Sequence, residues 1–323
     1  MKQEAPQPQF EDAFVDVQGV QVHYLHAGTG RPMLLIHGMV GSSANWRSTI
    51  PALARDASVY AIDLVNMGRS GRVEGLDASL HATADRLVAI MDALQLPTAD
   101  IVGHSHGGSV ALMLAALYPE RVRRLILFAP ANPFCRAGDR MVRVYSSHWG
   151  TLLARALPYL PSPFQRLALG EIYGGPDRVA DSSLHEIVEG LRSPGTLRHV
   201  LAIIRTWFAE METLKRALPR VARVPTLLVW GDCDCTVSLA SGIRLKRKLR
   251  GAKLVIVPRA GHSVFEQFPE QANRILLDWL NRTAPPDRVA YVPVAASAAA
   301  SNPRKRPRFA ATNSRYNALS PET

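Results

Sequence analysis

Residues 99–110 read Ala99-Asp100-Ile101-Val102-Gly103-His104-Ser105-His106-Gly107-Gly108-Ser109-Val110. An apolar run ends at Gly103, and a helix-compatible run over 107–117 follows at once. Between them stands Gly-x-Ser-x-Gly, with Ser105 at the tip of a strand-to-helix turn. Such a turn is tight, and its serine occupies a strained backbone region whose neighbours must lack bulk. Gly103 and Gly107 meet that need, and Gly108 lets the helix pack close to the sheet. A serine is a weak nucleophile at neutral pH and needs a base. The amide of His106, at the helix start, points to where an oxyanion develops, aided by the helix dipole.

Outward from this turn, short apolar runs alternate with helical patterns. Strands are expected over 15–17, 20–26, 33–36, 58–62, 100–103, 124–128, 226–230 and 253–257. Helices are expected over 44–54, 79–94, 107–117, 239–249 and 269–280. Gln18-Gly19 reads as a hairpin turn between the first two strands. The alternation predicts the α/β class: a mostly parallel, eight-stranded sheet with helices on both faces. The core then covers 13–130 and 225–282. Over 131–224 the alternation stops. Met141, Val144, Tyr145, Trp149 and Leu152 recur at helical spacing, as do Leu197, Leu201, Ile204 and Phe208. A block this long is not a loop. It predicts a helical cap leaving the carboxyl edge of the sheet, where ligands bind in open α/β folds.

The chemistry of Ser105 sets what else to seek. A second oxyanion donor belongs in the loop after the third strand, where His37-Gly38-Met39 stands and the Met39 amide is the candidate. The base should follow the serine in chain order, with an acid between them. Gly261-His262-Ser263 follows the last strand, and His262 is the candidate base. Trp230-Gly231-Asp232-Cys233-Asp234 ends the preceding strand and offers Asp232 and Asp234 as the acid; Asp234, further into the loop, is preferred. Trp46, Trp149 and Trp207 are candidate substrate contacts, while the other cap aromatics divide between cap core and pocket wall. His148, His185 and His199 are expected to be solvated. His104/His106 and Cys233/Cys235 contain ligand types. The two histidines flank a sharp turn and diverge, so no metal and no cofactor are expected.

Over about residues 13–281 the chain resembles the α/β-hydrolase family, in its cap-bearing esterase, lactonase and C–C hydrolase branches. The matching residues are His37-Gly38, Asp63 with Gly68-Arg69-Ser70, the turn at Ser105, Gly231 to Asp234, and Gly261-His262. The resemblance implies a Ser105–Asp234–His262 triad, since the family's acid usually occupies the position of Asp234. Asn66 stands where a glycine is common, and asparagine tolerates left-handed backbone. Epoxide hydrolases and haloalkane dehalogenases carry an aspartate nucleophile, which Ser105 excludes. The C–C hydrolases usually carry a Gly-Pro-Gly run after the oxyanion loop, where this chain has Val40-Gly41-Ser42-Ser43.

The expected activity is serine hydrolysis of a small, apolar carboxylic ester, thioester or lactone through an acyl-enzyme on Ser105. One alternative is C–C bond hydrolysis of a vinylogous diketone, for which a cap arginine such as Arg136, Arg140 or Arg205 would hold a carboxylate. The other is a non-catalytic ligand receptor or scaffold, which measured turnover would exclude.

Composition bounds the remaining possibilities. The 323 residues carry a net charge of +11 and only three cysteines, Cys135, Cys233 and Cys235. Sparse thiols argue against a disulfide scaffold and fit a cytoplasmic setting. No apolar run approaches a membrane span. Residues 1–12 read as a flexible, Gln- and Pro-rich start without a signal peptide. Residues 283–323 read as a disordered basic tail whose Pro303–Phe309 cluster suits an anionic partner. Arg288, Arg304, Lys305, Arg306, Arg308 and Arg315 against Asp287 and Glu322 leave +4 there. The charge therefore bears on the tail's contacts more than on the reaction.

Overall fold

The computed structural model describes residues 10–135, 137–173, 175–176, 179 and 181–283. The expected tail and most of the expected flexible start lie outside the described residues. The eight strands are β1 (Glu11–Val17), β2 (Val20–Ala27), β3 (Arg31–Ile36), β4 (Ala57–Ile62), β5 (Ala99–His104), β6 (Val122–Phe128), β7 (Thr226–Gly231) and β8 (Lys253–Val257). They form one sheet in the order β1-β2-β4-β3-β5-β6-β7-β8. β1 pairs antiparallel with β2, and β2 with β4; the other neighbours are parallel. β1 begins at Glu11, so the core starts two residues before the expected position 13. Gln18 and Gly19 turn with φ of 55° and 86°, the double left-handed turn that matches strand twist.

The helices are α1 (Ile50–Leu53), α2 (Leu80–Ala93), α3 (Ser105–Leu117), α4 (Ala137–Ser146), α5 (His148–Ala156), α6 (Ser162–Tyr173), α7 (Asp181–Arg192), α8 (Pro194–Val221), α9 (Leu239–Lys248), α10 (Val264–Gln267) and α11 (Pro269–Arg282). The helix expected over 44–54 is instead a 3-10 turn, Ser43–Trp46, followed by the short α1. Ser42 and Asn45 close a capping box there, which starts that turn and holds the preceding loop. Successive side chains of a strand face opposite ways, so each buried strand feeds two cores. Leu34, Ile36, Ile101, Leu125 and Leu127 pack with α2, α3 and α8 on one face. Leu35, Val102, Ile126, Phe128 and Val229 pack on the other with Trp46, Phe265 and α11.

At the end of the sheet remote from the serine, Arg124 and Asp100 are both about 1% exposed. Their contact is bidentate, Nε to Oδ1 at 3.0 Å and Nη2 to Oδ2 at 2.5 Å. Arg124 Nη1 also donates to the carbonyls of Leu280 and Thr283, tying β5 and β6 to the end of α11. Four of its five N–H donors thus have partners, as a buried ion pair requires.

The order β4-β3-β5 reverses the direction of winding, so the carboxyl ends of β3 and β5 flank the switch point of the sheet. The loops after β7 and β8 lie at the same edge. Helices α4 to α8 depart after β6 and return at β7.

Candidate active site

Ser105 opens α3 with φ of 52°, in the left-handed region that a serine rarely adopts. Two close approaches force the flanking glycines. A Cβ at Gly103 would stand 2.8 Å from the Gly107 carbonyl oxygen, and one at Gly107 would stand 2.3 Å from that of His37. The backbone is held from behind, since the Ala131 amide donates to the Ser105 carbonyl at 2.9 Å. As the second residue of α3, His106 carries an amide with no partner one turn back.

The loop after β3 is fixed by His37 and Asp63. His37 is fully buried, and burial pushes its pKa down. Its Nδ1–H donates to the Gly38 carbonyl at 2.7 Å, and its Nε2 accepts from the Leu64 amide at 3.0 Å. Asp63 accepts from the amides of Ser43 (2.5 Å) and Arg69 (2.7 Å) and contacts His23 Nδ1 at 2.8 Å. Burial alone would raise the Asp63 pKa; His23, His37 and the two amides together hold it below the usual carboxylate value. His23 answers in the other direction: burial opposes its cation, yet the contact with Asp63 raises its pKa. Asn66 takes φ of 70°, the left-handed turn expected where a glycine is common.

The structure brings Asp234 to His262, with Oδ2 2.8 Å from Nδ1. The carboxylate is acceptor-only, so Nδ1 carries the proton of this contact, and in the neutral ring Nε2 is the acceptor. Asp234 Oδ1 accepts from the amides of Thr236 (2.9 Å) and Val237 (2.8 Å), which fixes the carboxylate. Asp232 instead turns outward and accepts from the Arg259 amide at 2.7 Å. His262 is buried, and its Nε2 has no hydrogen-bond partner among the described residues.

Ser105, His262 and Met39 line one cavity of about 180 Å³. Its roof is apolar and comes from the insertion: Leu157, Leu169, Ile187, Leu191, Leu201 and Ile204. Tyr145, Asn45, Thr236 and Glu266 add polar groups. Asn45 Nδ2 donates to Glu266 Oε1 at 2.7 Å, joining the loop after β3 to α10. No lysine or arginine lines the cavity among the described residues. Among the candidate cap arginines, Arg205 is exposed on α8 and does not reach the cavity. Arg136 and the Arg140 side chain lie outside what is described.

The three tryptophans proposed as substrate contacts are elsewhere. Trp46 is fully buried behind the wall, stacked on Phe265 at 4.2 Å. Trp149 is 79% exposed, because α5 buries Gly150, Thr151 and Ala154 on its opposite face. Trp207 is half-buried against the core beneath α8. Helical spacing identified the helices of Trp149 and Trp207 and left open which face turns inward; among the described residues, Tyr145 is the cap aromatic that reaches the cavity.

The two histidines beside Ser105 diverge. His104 lines the large cavity, and its Nε2–H donates to the His262 carbonyl at 3.2 Å. Its ring lies 4.7 Å from that of His262 and meets Phe265 edge-on. Burial, then the neighbouring His262, pushes the His104 pKa well down. His106 enters a second, much smaller cavity with His199 and Arg86. Burial and then His199 lower the His106 pKa to about 3. His199, expected to be solvated, is 7% exposed, and burial followed by the Arg86 charge lowers its pKa to about 4. No cluster of three metal-ligating side chains is present among the described residues.

The family model described as the alpha/beta hydrolase fold matches residues 31–172. The 2-hydroxymuconate semialdehyde hydrolase of Pseudomonas sp. strain CF600 is 30% identical over 255 residues, covering 76% of this chain and 84% of that protein. The chain belongs to the alpha/beta-hydrolase family. This hydrolase is also similar to the 2-hydroxy-6-oxo-2,4-heptadienoate hydrolase of Pseudomonas putida, at 28% identity over 81% of this chain and 93% of the relative. Among solved structures, the meta-cleavage product hydrolase CumD from Pseudomonas fluorescens IP01 superposes with a TM-score of 0.68. It is 26% identical, over 84% of this chain and 97% of that one. A putative lipase from Acinetobacter baumannii AYE superposes at 0.74 with 22% identity, over 84% and 91%, and shares the fold. The hydrolase has no described helix long and apolar enough to cross a membrane.

Proposed function

We propose that this hydrolase cleaves an uncharged, apolar carboxylic ester, thioester or lactone by nucleophilic catalysis at Ser105. The observation that carries the reading is the cavity itself. Ser105 and the proton-accepting Nε2 of His262 share a space with largely apolar walls and, among the described residues, no lysine or arginine. His262 takes the Ser105 proton as Oγ attacks the acyl carbon. Asp234 holds the Nδ1–H tautomer and stabilises the imidazolium. The amides of Met39 and His106 receive the oxyanion, each worth roughly ~3 kcal/mol of transition-state stabilisation. His262 returns the proton to the leaving oxygen or sulfur, and the acyl-enzyme forms. Water then loses a proton to His262 and attacks the ester, releasing the acid and restoring Ser105.

The named relatives favour a second reading, C–C bond cleavage of a dienoate. Such substrates carry a carboxylate, and among the described residues this cavity offers Glu266 and no lysine or arginine. A substrate carboxylate beside Glu266 would meet a like charge within largely apolar walls, which opposes binding. Steady-state turnover of neutral p-nitrophenyl acyl esters, compared with 2-hydroxy-6-oxo-2,4-heptadienoate, separates the two. The ester reading expects turnover of the esters and none of the dienoate. The reverse pattern would replace it with the C–C reading, and no turnover of either would favour a receptor.

A further inference from the structure

The insertion has two unlike faces. Ala154 and Leu157 at the end of α5, and Ala168 and Leu169 on α6, line the cavity. The outer faces carry Trp149, Leu152, Leu153, Tyr159, Phe164 and Leu167, all exposed, with Tyr159 at 69%. On α5 the positions 149, 152 and 153 share one side of the helix, as do 164 and 167 on α6. Monomers seldom gather so many large apolar side chains in water unless the surface meets something.

Charge identifies what it meets. The run from Met141 to Gly170 contains Arg143, Arg155 and Arg166 and no aspartate or glutamate. The Arg143 guanidinium lies 5.9 Å from the ring of Phe208, which is itself exposed. A two-fold contact between copies would press this cationic face against itself, so like charges oppose a second copy. Trp and Tyr beside Leu and Phe, with Arg155 exposed on the same helix and the neighbouring Glu189 paired to the Arg192 that lies 6.0 Å from the Tyr159 ring, match the headgroup–acyl boundary of an anionic bilayer.

We propose that the outer face of α5 and α6 docks on an anionic lipid surface, with Trp149 and Phe164 entering the acyl boundary. The contact is peripheral, and it sets the roof of the cavity against the lipid.

The test uses the full chain with vesicles of phosphatidylcholine, alone or mixed with phosphatidylglycerol, both carrying brominated acyl chains. Trp46 and Trp230 are fully buried, so Trp149 is the tryptophan best placed to meet the bromines. Mixed vesicles should quench the emission, neutral ones should not, and Trp149→Phe should remove most of the quenching. The pair Trp149→Glu with Phe164→Glu should weaken co-sedimentation at least about tenfold with an unchanged circular dichroism spectrum. Binding that leaves Trp149 unquenched and survives the pair would assign the contact to the basic segment after residue 283 and overturn the proposal. Absence of binding would overturn it too. So would a dimer, seen by light scattering, that shields Trp149 from aqueous acrylamide without vesicles.

Discussion

The carboxyl edge of the sheet and the helical insertion form two halves of one cavity, and they are held by different physics. At the edge, polar bonds fix each loop: His37 bridges Gly38 and Leu64, Asp63 holds Ser43 and Arg69, and Asp234 holds Thr236 and Val237. In the insertion the roof is apolar contact, and the outer face carries large side chains in solvent. Directional bonds specify geometry, whereas apolar packing tolerates exchange of shape. The difference teaches where the hydrolase keeps its reacting groups rigid and where it shapes what enters.

The largest expected effect lies at the edge. Asp234→Asn should lower kcat by about 10⁴-fold with the fold intact, because the wrong tautomer of His262 is favoured. A loss under tenfold would mean that Asp234 does not orient the base. Next come two changes in the buried core, one in the 3-10 turn packed on the sheet and one in β6. Trp46→Ala should cost ~3–5 kcal/mol in a denaturant melt, as deletion of a fully buried aromatic does. Arg124→Ala should cost a similar ~3–5 kcal/mol by leaving the buried Asp100 with only the longer Arg123 contact at 3.4 Å, with little effect on turnover per folded molecule.

Acid should act on the join between the two halves. His106 on the edge and His199 on the insertion have folded pKa values of about 3 and about 4. Both lie below the free value of 6.5, so the unfolded chain takes up protons first as pH falls. The stability they contribute is full above pH 6.5 and lost on acidification toward pH 4 and below, on the order of a few kcal/mol. The raised His23 acts oppositely, losing its contribution as pH rises through its folded pKa. Melting temperatures followed from pH 7 to pH 4 should fall, and His199→Gln should flatten that slope. The smallest effect belongs to the outer face, where Trp149→Gln should change stability by less than about 0.5 kcal/mol.

The same contrast explains what could be read from the residues alone. Short apolar runs and glycine punctuation place all eight strands, because a sheet buried on both faces leaves few alternatives. The order of Ser105, Asp234 and His262 along the chain follows from the strands they end. The insertion is less legible. Helical spacing marks α5 and α8 but leaves open whether Trp149 or Ala154 faces the cavity, since that depends on a partner distant in sequence. His199 looks like a polar surface residue until α8 crosses α3 and buries it. Asp63 and His23, forty residues apart, show no local sign of their contact. Glu266 lies on the short α10 just after His262, where four residues give too little periodicity to mark a helix or its inward face.

The most direct test of the account is a fluorophosphonate probe on the native chain, with mass spectrometry of the labelled peptides. An activated nucleophile predicts one stoichiometric adduct on Ser105, lost in the Ser105→Ala and His262→Ala variants. An unlabelled Ser105 in the folded protein, or an adduct on another serine that survives both variants, would contradict it.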